Sequence, residues 1–227
     1  MNNYEKLEGM VAATFTPLDE NGDVNLSVID KYADWIASTP IKGVFVCGTT
    51  GEFSSLTIDE RKLILEKWLV SARKRFKVIA HVGSNCQRSA MELARHAAQV
   101  GADAIASIAP SFFKPGTVDE LVDFFAPICH SAAGLPFYYY NMPSITGVNL
   151  PVDKFLVEGK KKIPNLVGTK FTHNNLMEMG VCIELEQHRF EVLHGYDEIL
   201  ISGLAMGAVA GVGSCLLYTS PSPRDCS

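Results

Sequence analysis

The chain has 227 residues, a formal net charge of −5 and 47% hydrophobic residues, which are values typical of a globular protein of one domain. No basic tract stands out, and this disfavours nucleic acid as a partner. No apolar run reaches the roughly 18–20 residues that a membrane helix needs, and the polar segment 1–10 lacks the apolar stretch of a signal peptide. The composition therefore predicts a soluble protein of the cytoplasm with no membrane contact.

Short apolar runs bounded by Gly or Pro recur along the chain, and each of them except the last is followed by a segment of helical pattern. Runs that are hydrophobic at consecutive positions are typical of parallel strands buried on both faces. Their starts lie about 20–35 residues apart, which fits one strand and one crossover helix per unit. The runs cover residues 9–16, 43–50, 78–83, 104–110, 136–143, 166–171, 191–196 and 208–214.

This repeated unit predicts an α/β fold, and specifically a (β/α)8 TIM barrel. A doubly wound open sheet is the alternative, but no G-x-G-x-x-G follows the first run. The clearest helix is predicted over 58–76, where Thr57 and Glu60 have the spacing of a capping box. Similar patterns predict helices over 91–100 and 118–131.

Catalytic side chains of such a barrel lie where the strands end, and Lys170 is the first candidate. It stands in the apolar run VGTKF, where a charged amine is costly to bury and the neutral, nucleophilic form is favoured. An ordinary lysine at a strand end, reaching solvent or an acid, explains the sequence equally well at this point.

Tyr140 is the second candidate, at the end of the run FYYYN. Because strand side chains alternate, Tyr138 and Tyr140 share one face and Tyr139 takes the other. A phenol at the barrel mouth can accept and donate a proton. An aromatic core strand is the commoner meaning of such a run.

Three further segments follow predicted strands and have the composition of binding loops. Gly48 to Glu52 reads GTTGE, whose glycines and whose hydroxyls on Thr49 and Thr50 suit a carboxylate or a phosphate. Asp197 and Glu198 can accept hydrogen bonds from sugar hydroxyls. The segment 211–214, GVGS, lies where barrels often bind anions. The alternatives are an ordinary turn, a helix cap by Glu198, and a closely packed glycine strand.

The histidines and cysteines do not form metal-binding patterns. No pair of the six histidines has the spacing of a metal site, which disfavours a metal-dependent aldolase, and the six cysteines are scattered. We therefore expect no metal and no cofactor, and we expect His81 to be a hydrogen-bonded barrel residue. No G-x-S-x-G motif is present, which disfavours the common hydrolases.

Together these segments resemble the N-acetylneuraminate lyase and dihydrodipicolinate synthase family of class I aldolases. The resemblance runs from residue 9 to residue 214, and its most specific pieces are GTTGE, YYYNMPSITGV, GTKFT, HGYDE and GVGS. It implies a (β/α)8 barrel, a homotetramer and a Schiff base between Lys170 and pyruvate, with Tyr140 transferring a proton. It also implies that Thr49 and Thr50 hold the carboxylate of a 2-oxo acid. The positions implied to contact the sugar are Thr172, Gly195, Asp197, Glu198 and Ser214.

Two departures from the synthase pattern favour the lyase branch, whose members cleave sialic acid to pyruvate and N-acetylmannosamine. Ile145 occupies the place where synthases carry an arginine for a second carboxylate, and a branched hydrocarbon does not suit that ligand. The loop after the fourth strand reads Ser111-Phe112-Phe113, without the tyrosine that synthases place there. The alternatives are another pyruvate aldolase acting on a 2-keto-3-deoxy sugar acid, and an inactive sugar-binding paralogue.

The last residues differ from the family pattern, which continues into an eighth helix and a helical C-terminal extension. Here Pro221 and Pro223 interrupt any regular helix in the tail. We therefore expect a barrel domain over residues 1–214 that is truncated before its eighth helix. We expect residues 215–227 to be an atypical tail that is not native sequence.

Overall fold

The computed structural model describes residues 4–217. In that part of the chain, eight parallel strands pair in sequence order and close into a barrel. Closure is completed by β8, which pairs with β1 from Gly9↔Ala210 to Ala12↔Gly213. The predicted TIM barrel is therefore confirmed, and the open-sheet alternative is wrong. The strands are β1 (Gly9–Ala13), β2 (Gly43–Val46), β3 (Lys77–His81), β4 (Ala104–Ile108), β5 (Phe137–Asn141), β6 (Leu166–Phe171), β7 (Glu191–His194) and β8 (Ala210–Gly213).

Helices connect these strands on the outside of the barrel. A short extra helix, α5, directly follows β5, and the connection between β5 and β6 is completed by α6. The helices are α1 (Ile29–Ala37), α2 (Ile58–Ala72), α3 (Gln87–Val100), α4 (Val118–His130), α5 (Pro143–Thr146), α6 (Val152–Lys162), α7 (Leu176–Glu184) and α8 (Leu200–Ala205). None of the helices within residues 4–217 is long and apolar enough to cross a membrane.

The predicted elements all exist, but several of their boundaries move. The capping box at the start of α2 is present, since Thr57 accepts from the Glu60 N–H and the Glu60 carboxylate accepts in return. The prediction that this helix reaches residue 76 is wrong, because Arg73 and Lys74 adopt positive φ and end it at Ala72. The strands likewise end before the apolar runs do, except β6, which ends at Phe171 as predicted. The last residues of the other runs belong to the loops that follow the strands.

Two apolar layers hold the barrel together. Alternation along each strand sends one set of side chains into the barrel and the other toward the helices. Phe45, Tyr138 and Tyr140 belong to the inner layer, whereas Trp68 and Phe125 fill the outer one. Each large apolar side chain buried in this way contributes about 1.5–3 kcal/mol.

The helix labelled α8 lies between β7 and β8, so it is not the helix that would follow β8. After β8 comes a 3-10 turn, Cys215–Leu217, and no further element lies in the described part of the chain. Leu217 is buried in the outer apolar layer. The rest of the predicted atypical tail, residues 218–227, lies outside the described residues, so the expected boundary at residue 214 stays a prediction.

Candidate active site

Lys170 and Tyr140 are neighbours across the β5–β6 ladder. The register pairs Tyr140 with Lys170, and a shift between Phe137 and Tyr138 precedes this pair. Both residues are buried, with exposed fractions of 4% for Lys170 and 2% for Tyr140. Tyr140 and Tyr138 lie in the inner layer and Tyr139 lies in the outer one, which confirms the predicted alternation.

The ammonium nitrogen of Lys170 lies among aromatic rings. Its Nζ is 4.1 Å from the ring centre of Tyr140 and 4.3 Å from that of Phe45. Among residues 4–217, no acidic side chain forms an ion pair with it. The alternative of a lysine that reaches solvent or an acid is therefore wrong. A buried amine at the carboxyl end of a barrel strand, without an acidic partner, is a candidate nucleophile.

The hydroxyl of Tyr140 contacts the GTTGE loop, which follows β2. Thr49 Oγ1 lies 3.2 Å from Tyr140 Oη, and Tyr140 Oη donates to Met142 Sδ at 3.1 Å. Thr50 is the next residue on the same loop and is half-buried. The structure thus brings Lys170, Tyr140 and Thr49 into one cluster at the carboxyl ends of β2, β5 and β6.

The glycines of the same loop are required by close packing. A Cβ on Gly48 would lie 2.7 Å from the Phe45 ring, and one on Gly51 would lie 3.0 Å from the Thr14 carbonyl oxygen. The loop is also fixed from outside, since Thr16 Oγ1 donates to the Gly51 carbonyl at 2.7 Å. A loop held this firmly presents its hydroxyl and N–H groups in a fixed arrangement.

The residues matched to the sugar pocket lie on the neighbouring strand ends. Gly195 packs so closely on Thr172 that a Cβ there would lie 1.9 Å from Thr172 Oγ1. Thr172 is 3% exposed, and its Oγ1 has no hydrogen-bond partner among the described residues. An unsatisfied buried hydroxyl is costly to leave unpaired, so Thr172 is available to bind a polar group of a ligand.

Asp197 ties the loop after β7 to the end of β8. Its Oδ2 accepts the Cys215 N–H at 2.8 Å, and its Oδ1 lies where a Cβ on Gly213 would be, 1.6 Å away. Ser214 lies between these two contacts and is half-buried, whereas Glu198 is exposed. Asp197 and Glu198 both belong to the 3-10 turn Asp197–Ile199, which has no side-chain cap.

Sequence reasoning missed Arg61, which is buried against the carboxyl end of β3. Arg61 is 4% exposed and donates to the carbonyls of His81 and Gly83. Its position on the buried face of α2 could have been read from Ile64, Leu65 and Trp68, which follow it at helical spacing. His81 is a hydrogen-bonded barrel residue, as predicted, with Nδ1 2.8 Å from the Cys47 carbonyl oxygen.

A cavity of about 1080 Å³ lies at the opposite end of the barrel, where β2 and β3 begin. Its lining includes Lys42, Lys77 and Asp103. Lys77 is already paired with Glu5 at 2.6 Å and with Asp103 at 3.5 Å. Barrel enzymes carry their chemistry at the other end of the strands, and Lys170 and Tyr140 lie there. Residues 4–217 contain no group of three or more His, Cys, Asp or Glu that could hold a metal ion.

The model of the dihydrodipicolinate synthetase family matches residues 6–222. The N-acetylneuraminate lyase of Homo sapiens is 44% identical over 217 residues, covering 94% of this chain and 68% of the relative.

Solved structures are similar throughout the barrel. The N-acetylneuraminate lyase of Aliivibrio salmonicida has a TM-score of 0.93 and 40% identity, covering 96% of this chain and 72% of that one. The dihydrodipicolinate synthase of Aquifex aeolicus has a TM-score of 0.87 and 28% identity, covering 93% of this chain and 71% of that one.

Proposed function

The chain belongs to the dihydrodipicolinate synthetase family, and we propose that it is a class I aldolase that cleaves N-acetylneuraminate to pyruvate and N-acetylmannosamine. One observation carries the proposal: the amine of Lys170 is buried against Phe45 and Tyr140 without an acidic partner in residues 4–217. The identity to curated N-acetylneuraminate lyases supports the choice of substrate.

The first step is attack by the neutral amine of Lys170 on C2 of the open-chain keto acid. Loss of water gives an iminium, which can accept the electron pair of the breaking bond. Thr49 and Thr50, with the N–H groups of their loop, hold the carboxylate and so fix C2 near the amine. The contact of Thr49 with Tyr140 supports this arrangement, because it joins the carboxylate loop to the proton-transfer group.

Carbon–carbon cleavage follows. Tyr140 takes the proton from the C4 hydroxyl as the C3–C4 bond breaks, and N-acetylmannosamine leaves with its new aldehyde. The enamine left on Lys170 is protonated at C3, and water releases pyruvate. The substrate carboxylate or a threonine hydroxyl relays the proton, and the 3.2 Å separation of Thr49 Oγ1 from Tyr140 Oη supports the threonine.

The sugar portion is bound by Thr172, Gly195, Asp197, Glu198 and Ser214. Thr172 Oγ1 supports this role, since it is buried and unpaired among the described residues. Asp197 supports it as well, because its carboxylate lies beside Gly213 and next to Ser214 at the mouth of the barrel. Ile145, exposed on α5, suits a substrate without a second carboxylate.

Borohydride reduction in the presence of pyruvate tests the Schiff base. We expect a mass increase on the peptide that contains Lys170, and labelling of a different lysine with Lys170 unmodified would refute the assignment. Absence of any adduct would favour the inactive sugar-binding paralogue.

Turnover tests the substrate. We expect N-acetylneuraminate to be cleaved with a higher kcat/KM than 2-keto-3-deoxygluconate, and to be cleaved equally well in the presence of a chelator. The reverse order of the two substrates would assign the chain to another pyruvate aldolase.

The proposal extends to assembly and location. We propose a homotetramer of the cytoplasm, which binds small molecules rather than nucleic acid or membrane. Phe112 and Phe113, which are 75% and 86% exposed after β4, support burial of this loop between subunits. Light scattering of the purified protein is expected to give the mass of four chains.

A further inference from the structure

Arg61 is a buried cation without a counter-ion. It belongs to the first turn of α2 and is 4% exposed. No carboxylate in residues 4–217 forms an ion pair with it. Instead its guanidinium donates to the His81 carbonyl at 2.7 Å and to the Gly83 carbonyl at 2.9 Å. Burial lowers the pKa of Arg61 to about 10, so the group stays charged at neutral pH. A buried charge with only neutral partners is expensive to keep, which indicates a purpose beyond packing.

His81 connects this arginine to the GTTGE loop. The only polar atom near its Nδ1 that the structure records is the Cys47 carbonyl oxygen, at 2.8 Å, so Nδ1 must carry the proton and donate it. Nε2 then holds a lone pair, which accepts the Ile108 N–H at 3.3 Å. Burial and the charge of Arg61 lower the pKa of His81 well below its usual range, which keeps this tautomer neutral.

The carbonyl held by His81 belongs to a strained residue. Cys47 has φ of 53° and Glu52 has φ of 55°, so both ends of the loop carry non-glycine residues in the left-handed region. Such conformations cost free energy and persist only where their surroundings enforce them. Between these two residues lie Thr49 and Thr50. Hydrogen bonds therefore connect Arg61 to His81 and His81 to Cys47. The backbone of the loop leads from Cys47 to Thr49, whose hydroxyl contacts Tyr140.

We propose that Arg61 and His81 are positioning residues, which hold the 47–52 loop in the shape that receives the substrate's carboxylate and provide the uncompensated positive charge beneath it. The inference rests on the proposed function, because it assumes a 2-oxo acid bound to Lys170. Neither side chain touches the reacting atoms. The incoming carboxylate is the anion that this buried charge otherwise lacks, and attraction across a site of low dielectric favours an anionic ligand over a neutral one.

Paired substitutions at His81 test the tautomer and the hydrogen bond. His81→Asn keeps a donor at the position of Nδ1, whereas His81→Leu removes it. We expect His81→Leu to raise the KM for pyruvate by about 10- to 100-fold in the synthesis direction, with little change in the KM for N-acetylmannosamine. His81→Asn should restore most of the affinity for pyruvate. If His81→Asn and His81→Leu raise both KM values to the same extent, His81 has only a packing role and the proposal for His81 is overturned.

Substitution of Arg61 tests the charge. Arg61→Met should raise the concentration of pyruvate needed for half-maximal borohydride trapping. The concentration needed of pyruvamide, the neutral analogue of pyruvate, should rise less. Lys62→Met is the matched control, since it removes a cation from the next position of α2, where the side chain is bonded to Glu92 on the surface. Arg61→Lys keeps the charge but cannot donate to both carbonyls as the guanidinium does. Its half-maximal pyruvate concentration should lie between those of wild type and Arg61→Met.

Each outcome separates this inference from the proposed function. If wild type forms no pyruvate adduct, the proposed function fails first. If wild type is trapped and Arg61→Met folds with an unchanged preference for pyruvate over pyruvamide, the charge role of Arg61 is refuted. If Arg61→Met does not fold, Arg61→Lys and the two His81 variants still decide the matter through their pyruvate KM.

Discussion

Tyr138 and Tyr140 are two phenols on the same strand and the same face, yet one contacts a buried acid and the other a buried amine. Tyr140, near the carboxyl end of β5, contacts Thr49 and the Lys170 amine. Tyr138, near the amino end, donates to Glu191 Oε2 at 2.7 Å. Residue type and strand face are therefore the same, and only depth along the barrel separates a candidate catalytic group from a structural one.

At the amino end of the barrel, which we call the closed end, the inner side chains form hydrogen bonds to the buried carboxylate of Glu191. Glu191 is 2% exposed and accepts from the Leu7 N–H at 2.9 Å as well as from Tyr138. Burial and the neighbouring Glu191 raise the pKa of both Tyr138 and Tyr4, so these phenols remain donors at any ordinary pH. The phenols at this end keep their protons, whereas the candidate catalytic groups Lys170 and Tyr140 lie at the mouth.

The largest expected effect is at the mouth, in Lys170→Arg. The guanidinium keeps a positive charge but stays protonated and cannot form an imine. We expect loss of both the borohydride adduct and the cleavage of N-acetylneuraminate. Lys160→Arg is the matched control, because Lys160 is also partly buried and its pKa is lowered by burial, but it lies outside the barrel mouth. Cleavage that survives Lys170→Arg would exclude Lys170 as the nucleophile.

Tyr140→Phe should have the next largest effect. Loss of a general acid–base group lowers kcat by roughly 10²–10⁴, and the pyruvate adduct should form more readily than cleavage proceeds. Rapid-quench measurement of cleavage beside mass analysis of the adduct distinguishes the two steps. Unchanged cleavage would make Tyr140 an ordinary packing residue like its neighbour Tyr139.

Tyr138→Phe is the same substitution at the closed end, and it should show the converse behaviour. The phenylalanine leaves Glu191 buried with one donor fewer, so the free energy of unfolding should fall by about 1–3 kcal/mol. The kcat of the folded enzyme should stay close to that of wild type. Urea titration and turnover measured on the same sample provide both numbers, and a kcat as low as that of Tyr140→Phe would remove the distinction between the two ends.

The smallest expected effect is the pH dependence of stability that His81 causes. Because the folded protein lowers the pKa of His81 below its usual range, the unfolded chain binds a proton that the folded chain does not. Stability should therefore fall as the pH decreases below about 6.5, by at most about 1.4 kcal/mol per pH unit for this group.

His81→Asn should make that decline less steep without abolishing it. His194 contributes in the same direction, because burial lowers its pKa too. The basic side chains that face His81 are Arg61 and Lys170, and both contribute to lowering its pKa. If the unfolding free energy of His81→Asn changes between pH 7 and pH 5 as steeply as that of wild type, His81 does not gain a proton on unfolding.

Local pattern in the sequence was sufficient to predict the elements and to single out several candidate site residues. Apolar runs bounded by Gly and Pro located the eight strands of residues 4–217, because a strand buried on both faces must be apolar at successive positions. Alternation placed Tyr138 and Tyr140 on one face. Lys170 could be singled out because a charge within an apolar strand is costly, although the pattern left open whether its side chain reached solvent.

Tertiary structure alone decided how these residues meet. The register that sets Lys170 beside Tyr140, the contact of Thr49 with Tyr140 and the closure of β8 on β1 join positions far apart in the chain. Arg61 and Glu191 were not identified as buried, since a charged residue in a helix or at a strand start is usually solvated. Their burial depends on carbonyl and hydroxyl partners supplied by distant elements, and sequence periodicity, which describes one element at a time, contains no information about such partners.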